Sequence, residues 1–279
     1  GTWMWRDAGR AHGTATFVGD PALEADERAS AEAWGVGRVY ESYEAPGAAW
    51  PLGVGAWHEA LHAEGRQVQL LLSENTWIEP ARQASLDALL QQRIVDLHAV
   101  VGPGGRYDAV HLDVEPHGLP DWAGGTPADH RARMGQLLDL FVHVRGWLDG
   151  HGASGIGLYA DLVVWADGLP AGLGGSGSIG WTSVADRDGW FATLGATLDG
   201  VSLMAYERST SAAVLSSVAW ERANLACEVR VGLEADVGAT WGALQDALVV
   251  LGEVEDDGAE VDLHSWSTWR EASAAVAGP

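Results

Sequence analysis

The segment Tyr107-Asp-Ala-Val-His-Leu-Asp-Val-Glu-Pro-His117 has the alternating pattern of a strand with one polar and one apolar face. Side chains alternate along a strand, so His111, Asp113 and Glu115 share a face and the aliphatic residues between them share the other. In a barrel of parallel strands, the apolar face packs under the helices and the polar face points inward. Because two carboxyl groups this close interact, we expect one of Asp113 and Glu115 to have a raised pKa, as suits a general acid at neutral pH.

Seven further strand candidates alternate with helical stretches along the rest of the chain. The eight predicted strands are Thr2–Arg6, Gly37–Tyr43, Gln67–Glu74, Ala109–Pro116, Ile156–Leu162, Val201–Glu207, Val229–Asp236 and Val261–Trp266. Apolar residues between them recur at three- and four-residue intervals, as from Leu86 to Val101, and hydroxyl residues Ser85 and Thr240 precede two such runs. The repeats of about 35 residues predict a single (β/α)8 barrel domain over residues 1–279. The alternative is a doubly wound open sheet, but no G-x-G-x-x-G follows the first strand.

The charge of the chain excludes several classes of partner. It has 39 acidic and 16 basic residues, a formal net charge of −23, and every basic residue is arginine. Such a surface repels phosphate backbones and anionic lipids, so we expect no nucleic-acid partner. No apolar run is long enough for a bilayer span, so we expect no membrane insertion. The single cysteine, Cys227, allows no intrachain disulfide and no cysteine-based zinc site.

The first residue is Gly1 rather than Met, which predicts that a signal peptide or a tag has been removed. Secretion is slightly favoured over a cytoplasmic location on this ground. The oligomeric state is left open.

Many polar residues fall where the predicted strands end, which is where a (β/α)8 barrel holds its active site. These residues are Trp5, Glu41, Glu44, Glu74, Asp113, Glu115, Asp161, Glu207, Glu234, Asp236, His264 and Trp266. Most of them are carboxylates, and like charges gathered at one rim need a cation, a shared proton or a catalytic task.

The fourth strand resembles that of the family 18 glycoside hydrolases, the chitinase-like barrels. Their motif D-G-x-D-x-D-x-E is similar to Asp108-Ala-Val-His-Leu-Asp-Val-Glu115, and their sixth-strand pattern Met-x-Tyr-Asp is similar to Met204-Ala-Tyr-Glu207. Trp266 falls where their eighth strand ends in a tryptophan that floors the sugar site. The resemblance implies that Glu115 is the acid/base, that Asp113 orients an acetamido group of the substrate, and that Tyr206 helps to hold it.

The chain differs from this family pattern at three places. His111 stands where the family has its middle Asp, Val114 stands where it has Trp, and Ser73-Glu-Asn-Thr76 lacks the S-x-G-G pattern of the third strand.

A second glycosidase mechanism fits the same fold. Glu115-Pro116 also resembles the strand-four N-E-P acid/base of the large retaining-glycosidase superfamily, whose nucleophile ends strand seven, where this chain has Glu234. A retaining pair of carboxyl groups is about 5–5.5 Å apart and an inverting pair about 6.5–9.5 Å apart. We therefore predict Glu115 as acid/base and Glu234 as nucleophile or second carboxylate.

The remaining rim residues predict a carbohydrate or a related small molecule as substrate. Neighbours in a strand point to opposite faces, so Tyr206 and Glu207 can both serve the site only where the strand bends. Arg208 could clamp a carboxylate or phosphate through two hydrogen bonds. The full set of predicted substrate-binding residues is His111, Trp5, Glu74, Tyr159, Asp161, Glu207, Arg208, His264 and Trp266.

Fifteen tryptophans predict an aromatic groove at the rim, because flat rings stack on the faces of sugars. We expect ten of them at or near the rim: Trp3, Trp5, Trp50, Trp57, Trp77, Trp122, Trp165, Trp181, Trp266 and Trp269.

Two other classes of function remain open on the sequence. Histidines and carboxylates near the mouth could bind a divalent metal, as in metal-dependent barrel lyases and hydrolases. The barrel could also bind carbohydrate without turnover. For the favoured glycosidase we expect no cofactor.

Overall fold

The computed structural model describes residues 1–43, 50–234 and 244–277, and it has a closed barrel of eight parallel strands. Each strand pairs with the next along the chain, and β8 pairs with β1. The predicted fold class is thereby confirmed. The strands are β1 Thr2–Met4, β2 Arg38–Glu41, β3 Gln67–Leu72, β4 Ala109–Leu112, β5 Gly157–Val163, β6 Gly200–Met204, β7 Glu228–Glu234 and β8 Glu260–His264.

Helices cover the outside of the barrel. They are α1 Thr14–Phe17, α2 Pro21–Ala33, α3 Trp50–Ala63, α4 Gln83–Leu90, α5 Leu97–Val100, α6 Pro127–Gly150, α7 Val184–Thr197, α8 Ser211–Ser217, α9 Ala219–Asn224, α10 Leu244–Asp256 and α11 Trp266–Ala277. The sequence signals explain the ends of the longest helix. Thr126 and Asp129 form a capping box before α6, and α6 ends at Gly150.

Several strands and one helix differ from their predicted bounds. The predicted strands one, two, three, four, six and eight are too long by two to four residues at their carboxyl ends, because those residues leave the ladder to form the loops of the mouth. Helix α4 begins at Gln83 rather than at Ser85, and the run up to Val101 is interrupted by a π-helical stretch at Gln91–Asp96. Thr240, Glu44 and Asp236 lie outside the described residues.

The two faces of each strand have different surroundings. On β4 and just after it, Val110, Leu112 and Val114 are buried in the apolar layer under the helices, and His111 points into the barrel. A barrel interior is usually filled by branched aliphatic side chains, whereas this one also holds a chain of buried polar groups. Gly232 makes room for the inner aromatics, since a Cβ there would lie 3.2 Å from both Trp3 and Tyr206.

Candidate active site

Asp113 and Glu115 lie next to each other where β4 ends, and their pKa values are shifted in opposite directions. Burial, followed by the charges of Asp161 and Glu115, raises the pKa of Asp113 to about 9. Asp113 is therefore neutral near pH 7 and donates a hydrogen bond to Glu115, which lowers the pKa of Glu115. Asp113 Oδ1 is buried and has no hydrogen-bond partner among the described residues, so this oxygen is left for a ligand.

Two residues outside the predicted catalytic and substrate-binding sets hold Glu115 in place, and one of them, His117, was predicted only as a possible metal ligand. His117 Nε2 lies 2.8 Å from Glu115 Oε2, and this hydrogen bond is the largest cause of the lowered pKa of Glu115. Asn75 Oδ1 accepts a hydrogen bond of 2.7 Å from the backbone N–H of Glu115. Gly118 leaves space for Asn75, since a Cβ there would lie 2.5 Å from its Nδ2. The only feature of the sequence that could have predicted the contact with His117 is its position two residues after Glu115.

Tyr206 lies beside the carboxyl groups after the end of β6. Its ring stacks on His264 at 4.8 Å and packs edge-on against Trp3 at 6.3 Å. Burial, with the charges of Asp161, Asp113, Glu115 and Glu234, raises the pKa of the phenol well above its usual range. Tyr206 is therefore a neutral hydroxyl at working pH, able to donate or accept a hydrogen bond.

Glu234 and His264 face each other at the ends of the paired strands β7 and β8. His264 Nε2 accepts a hydrogen bond of 3.2 Å from the indole N–H of Trp5. An indole nitrogen only donates, so His264 must carry its proton on Nδ1, which lies 3.5 Å from Glu234 Oε2. Trp5 thus fixes the tautomer of His264, whose buried Nδ1 makes no hydrogen bond among the described residues and lies 3.5 Å from Glu234 Oε2.

His111 and Asp161 form a buried pair below the mouth. His111 Nε2 lies 3.0 Å from Asp161 Oδ1, and Trp3 Nε1 donates to the other oxygen of Asp161 at 3.0 Å. Gln69 Oε1 contacts His111 Nδ1 at 3.0 Å. His111 is buried, so it supports the site from beneath instead of meeting the substrate as the sequence suggested. The negative charge of Asp161 contributes to the raised pKa of Asp113 at the mouth of the barrel.

Four predicted substrate-binding residues need correction. Trp266 is fully buried, and its Nε1 donates to Glu27 on α2 at 2.7 Å, so it packs behind the barrel wall. Tyr159 lies at the opposite end of the barrel, where its ring packs under Arg38 and against Gly200.

The other two are exposed residues that do not join the carboxyl cluster. Glu74 caps the 3-10 turn Asn75–Ile78, where its Oε1 accepts hydrogen bonds from the N–H and hydroxyl of Thr76. The side chain of Glu207 is 92% exposed at the rim, because Tyr206 takes the inward position.

The aromatic groove is smaller than the tryptophan content suggested. Among the tryptophans expected at the rim, five besides Trp266 are buried: Trp3, Trp57, Trp77, Trp181 and Trp269. The side chain of Trp50 lies outside the described residues. Trp5, Trp122 and Trp165 are partly exposed. His117 packs edge-on against both Trp165 and Trp122, at 5.5 and 6.4 Å, which brings these two rings close to Glu115.

Among the described residues, no group of three or more His, Cys, Asp or Glu side chains is arranged to hold a metal ion. None of the helices in the described ranges is long and apolar enough to cross a membrane. Cys227 is half-buried and its thiol has a pKa raised to about 11, chiefly by burial, so it is an unreactive packing residue.

Solved glycoside hydrolase structures share this fold. The glycoside hydrolase domain of PgaB (BpsB) from Bordetella bronchiseptica matches with a TM-score of 0.54 and 11% identity, covering 93% of each chain. The spore cortex-lytic enzyme SleL from Bacillus cereus matches with a TM-score of 0.53 and 10% identity, covering 98% of this chain and 72% of its own. A structure of plant β-glucan endohydrolases matches with a TM-score of 0.52 and 11% identity, covering 87% of this chain and 86% of its own.

Sequence comparison adds no closer relative, since no protein-family model and no curated protein matches the chain. Chitinases also occur among the structural matches, for instance that of Rhizomucor miehei, at a TM-score of 0.48. The eight-stranded parallel barrel is the fold that this chain shares with the glycoside hydrolase domain of PgaB and with SleL.

Proposed function

We propose that the protein is a glycoside hydrolase that cleaves a glycosidic bond by carboxylate acid/base catalysis, with Glu115 as the acid/base. The observation that carries this proposal is the pair of adjacent carboxyl groups of Asp113 and Glu115 at the mouth of the barrel, whose pKa values are shifted in opposite directions. A catalytic carboxyl group must gain and lose a proton during turnover, and a partner that stores the proton allows this near neutral pH.

In the free protein, Asp113 holds the proton and Glu115 is ionised. The Glu115 side chain is 31% exposed, and a sugar bound over it displaces water and raises its pKa. The proton then moves from Asp113 to Glu115, which protonates the oxygen of the leaving group. Glu115 afterwards acts as a base towards the attacking water. His117 limits this cycle to the bound state by keeping the free Glu115 ionised.

Glu234 is the proposed nucleophile or second carboxylate. It ends β7 on the same rim, its charge acts on Tyr206 together with that of Glu115, and its Oε2 lies 3.5 Å from His264 Nδ1. A carboxylate at this position can attack the anomeric carbon, activate a water, or stabilise an oxocarbenium-like transition state. Asp113 Oδ1 and the Tyr206 hydroxyl are the proposed hydrogen-bonding groups for the sugar beside the scissile bond.

The test is hydrolysis of oligosaccharides and aryl glycosides by the wild type and by Glu115→Gln. We expect Glu115→Gln to lower kcat by roughly 100- to 10,000-fold, the usual contribution of a general acid/base. The matched control is Glu228→Gln, a carboxylate of the same barrel at its opposite end, which should change kcat by less than about threefold.

Retention of activity by Glu115→Gln would refute this role of Glu115. A chelator should leave hydrolysis unchanged. Activity that is lost with chelator and restored by a divalent ion would favour the metal-dependent class, and tight oligosaccharide binding without turnover would favour a carbohydrate-binding barrel.

A further inference from the structure

Arg208 lies in a cleft beside Glu115 without a close partner. The cleft has a volume of about 130 Å³ and is lined in part by Glu115, His117, Trp165, Tyr206 and Arg208. The Arg208 side chain is 35% exposed and donates no hydrogen bond to any described residue. Its one ionic contact is at 3.9 Å, to the exposed carboxylate of Glu207. Such a pair contributes little, since solvent screens it.

Other arginines of the chain are committed to carboxylates at closer range. Their pairs include Arg10–Glu271, Arg38–Glu228, Arg66–Glu32, Arg131–Asp186, Arg145–Asp199, Arg187–Asp188, Arg222–Asp257, Arg230–Asp262 and Arg270–Asp26, at 2.5–3.1 Å. In a chain with 39 acidic and 16 basic residues, a guanidinium finds a carboxylate easily. Arg82 and Arg106 also have no carboxylate partner among the described residues, but both are exposed. Arg208 is informative because it lies in the proposed catalytic cleft.

The groups around Arg208 leave its positive charge available to a ligand. Asp113 is neutral, and the carboxylate of Glu115 is held by a hydrogen bond with His117 at 2.8 Å. Glu207 points its carboxylate to solvent. The partly exposed ring of Trp165 lines the same cleft and offers a face on which a sugar can stack.

We propose that Arg208 binds a carboxylate of the substrate, so that the cleft takes a glycan with an acidic sugar next to the scissile bond. This inference rests on the proposed glycoside hydrolase function. A guanidinium matches a carboxylate through two parallel hydrogen bonds, and Trp165 fixes the plane of the sugar that carries it. Two kinds of sugar supply such a group, a uronic acid and a sugar with a lactyl ether.

A carboxylate fits this cleft better than a phosphate does. Arg208 offers one full positive charge, which a carboxylate neutralises, whereas a phosphate monoester carries nearly two negative charges at neutral pH. The second charge would lie near the carboxylate of Glu115, which lines the same cleft.

The experiment measures binding by calorimetry in a Glu115→Gln background, where turnover is blocked. The probes are oligogalacturonates and muramic-acid-containing glycan fragments, each paired with its carboxyl-reduced neutral form, and a sugar phosphate. We expect at least one acidic glycan to bind about tenfold more tightly than its neutral form, a difference of about 1.4 kcal/mol. The class that shows this preference identifies the source of the carboxylate.

Arg208→Gln should abolish the preference and leave the affinity for neutral forms within about twofold. Arg222→Gln, on α9 and paired with Asp257, is the matched control and should keep the preference. Equal binding of the acidic and neutral forms of every glycan, or a preference that survives in Arg208→Gln, would overturn the proposal. So would tighter binding of the sugar phosphate than of any acidic glycan.

The outcome for hydrolysis is separate. If acidic glycans bind through Arg208 but the wild type cleaves none of them, the proposed hydrolase function fails and the carboxylate site stands. If the wild type cleaves neutral glycans with Glu115 and shows no acidic preference, the carboxylate site fails and the hydrolase function stands.

Discussion

Asp113 and Asp262 are both aspartates inside the same barrel, yet their pKa values are shifted in opposite directions. Asp113, at the mouth, has a pKa raised to about 9 by burial and by the charges of Asp161 and Glu115. Asp262, at the other end, is fully buried, but the amino group of Gly1 and the guanidinium of Arg230 overcome the effect of burial and lower its pKa. Arg230 donates to it at 2.9 Å through Nε and at 2.7 Å through a terminal nitrogen.

The difference shows what separates a structural polar layer from a reactive one. At the lower end, Arg38 forms an ion pair with Glu228, and Arg230 forms one with Asp262. The hydroxyl of Ser202 donates a hydrogen bond of 2.6 Å to Asp262. Each of these charged side chains has an ion-pair partner of opposite charge, and we call this layer of residues the plug. At the mouth, carboxyl groups outnumber cations, and one of them keeps a proton that can be transferred.

The largest expected effect is a loss of folding stability when the plug loses Arg230. Arg230→Met would leave Asp262 buried without its main hydrogen-bond donor, and we expect the free energy of unfolding to fall by about 3–5 kcal/mol. Urea and thermal unfolding measure the change. Arg222→Met breaks an exposed pair and should cost less than about 1 kcal/mol. Equal effects of the two variants would show that the plug is not the stabilising layer.

A smaller effect of opposite sign is expected at the mouth from Asp113→Asn. The pKa of Asp113 is raised on folding, so the folded state binds more protons than the unfolded state between about pH 4 and 9, and wild-type stability falls as pH rises through that window. Asn has no such proton to lose and can still donate to Glu115. We expect Asp113→Asn to be close to neutral at pH 4 and more stable than wild type by about 1–3 kcal/mol at pH 8. Unfolding curves at the two pH values check this, and a pH-independent difference would contradict it.

The pH dependence of hydrolysis tests whether the protonated form of Asp113 is needed for activity. Above about pH 9, Asp113 ionises, repels Glu115 and has no proton to pass on. We expect kcat/KM to fall about tenfold for each further pH unit, the slope of a single ionisation. Asp113→Asn has no proton to pass to Glu115, so we expect it to lower kcat/KM across the whole pH range and to remove the break near pH 9 from any residual activity, measured with the most active substrate.

The smallest effect is expected at His264, which positions Glu234. His264→Gln keeps an N–H donor but removes the tautomer that Trp5 fixes, and we expect kcat to fall by up to about tenfold with little change in KM, the cost of one neutral hydrogen bond. Trp5→Phe removes only the indole donor and should have a similar but smaller effect on kcat. An unchanged kcat in both variants would remove His264 and Trp5 from this role.

Part of the site was predictable because it depends on neighbours in sequence. The polar face of β4 and the pairing of Asp113 with Glu115 follow from the two-residue period of a strand. Other contacts join distant segments. Trp266 ends up behind the wall because Glu27, far away in sequence, accepts its N–H. Tyr159 lies at the lower end because it is two residues below Asp161 on β5, where Arg38 covers it.

The sequence by itself determined the barrel, its strand order and the strand that carries the acid pair, since periodicity and spacing are local properties. Only the tertiary structure decided which of the two carboxyl groups holds the proton, that His117 and Asn75 support Glu115, and that Arg208 is left loosely held. A pKa or an ion pair depends on burial and on charges contributed by several strands at once, and no segment contains that information alone. For this reason Asp113 and Asp262, alike in residue type, differ in chemistry.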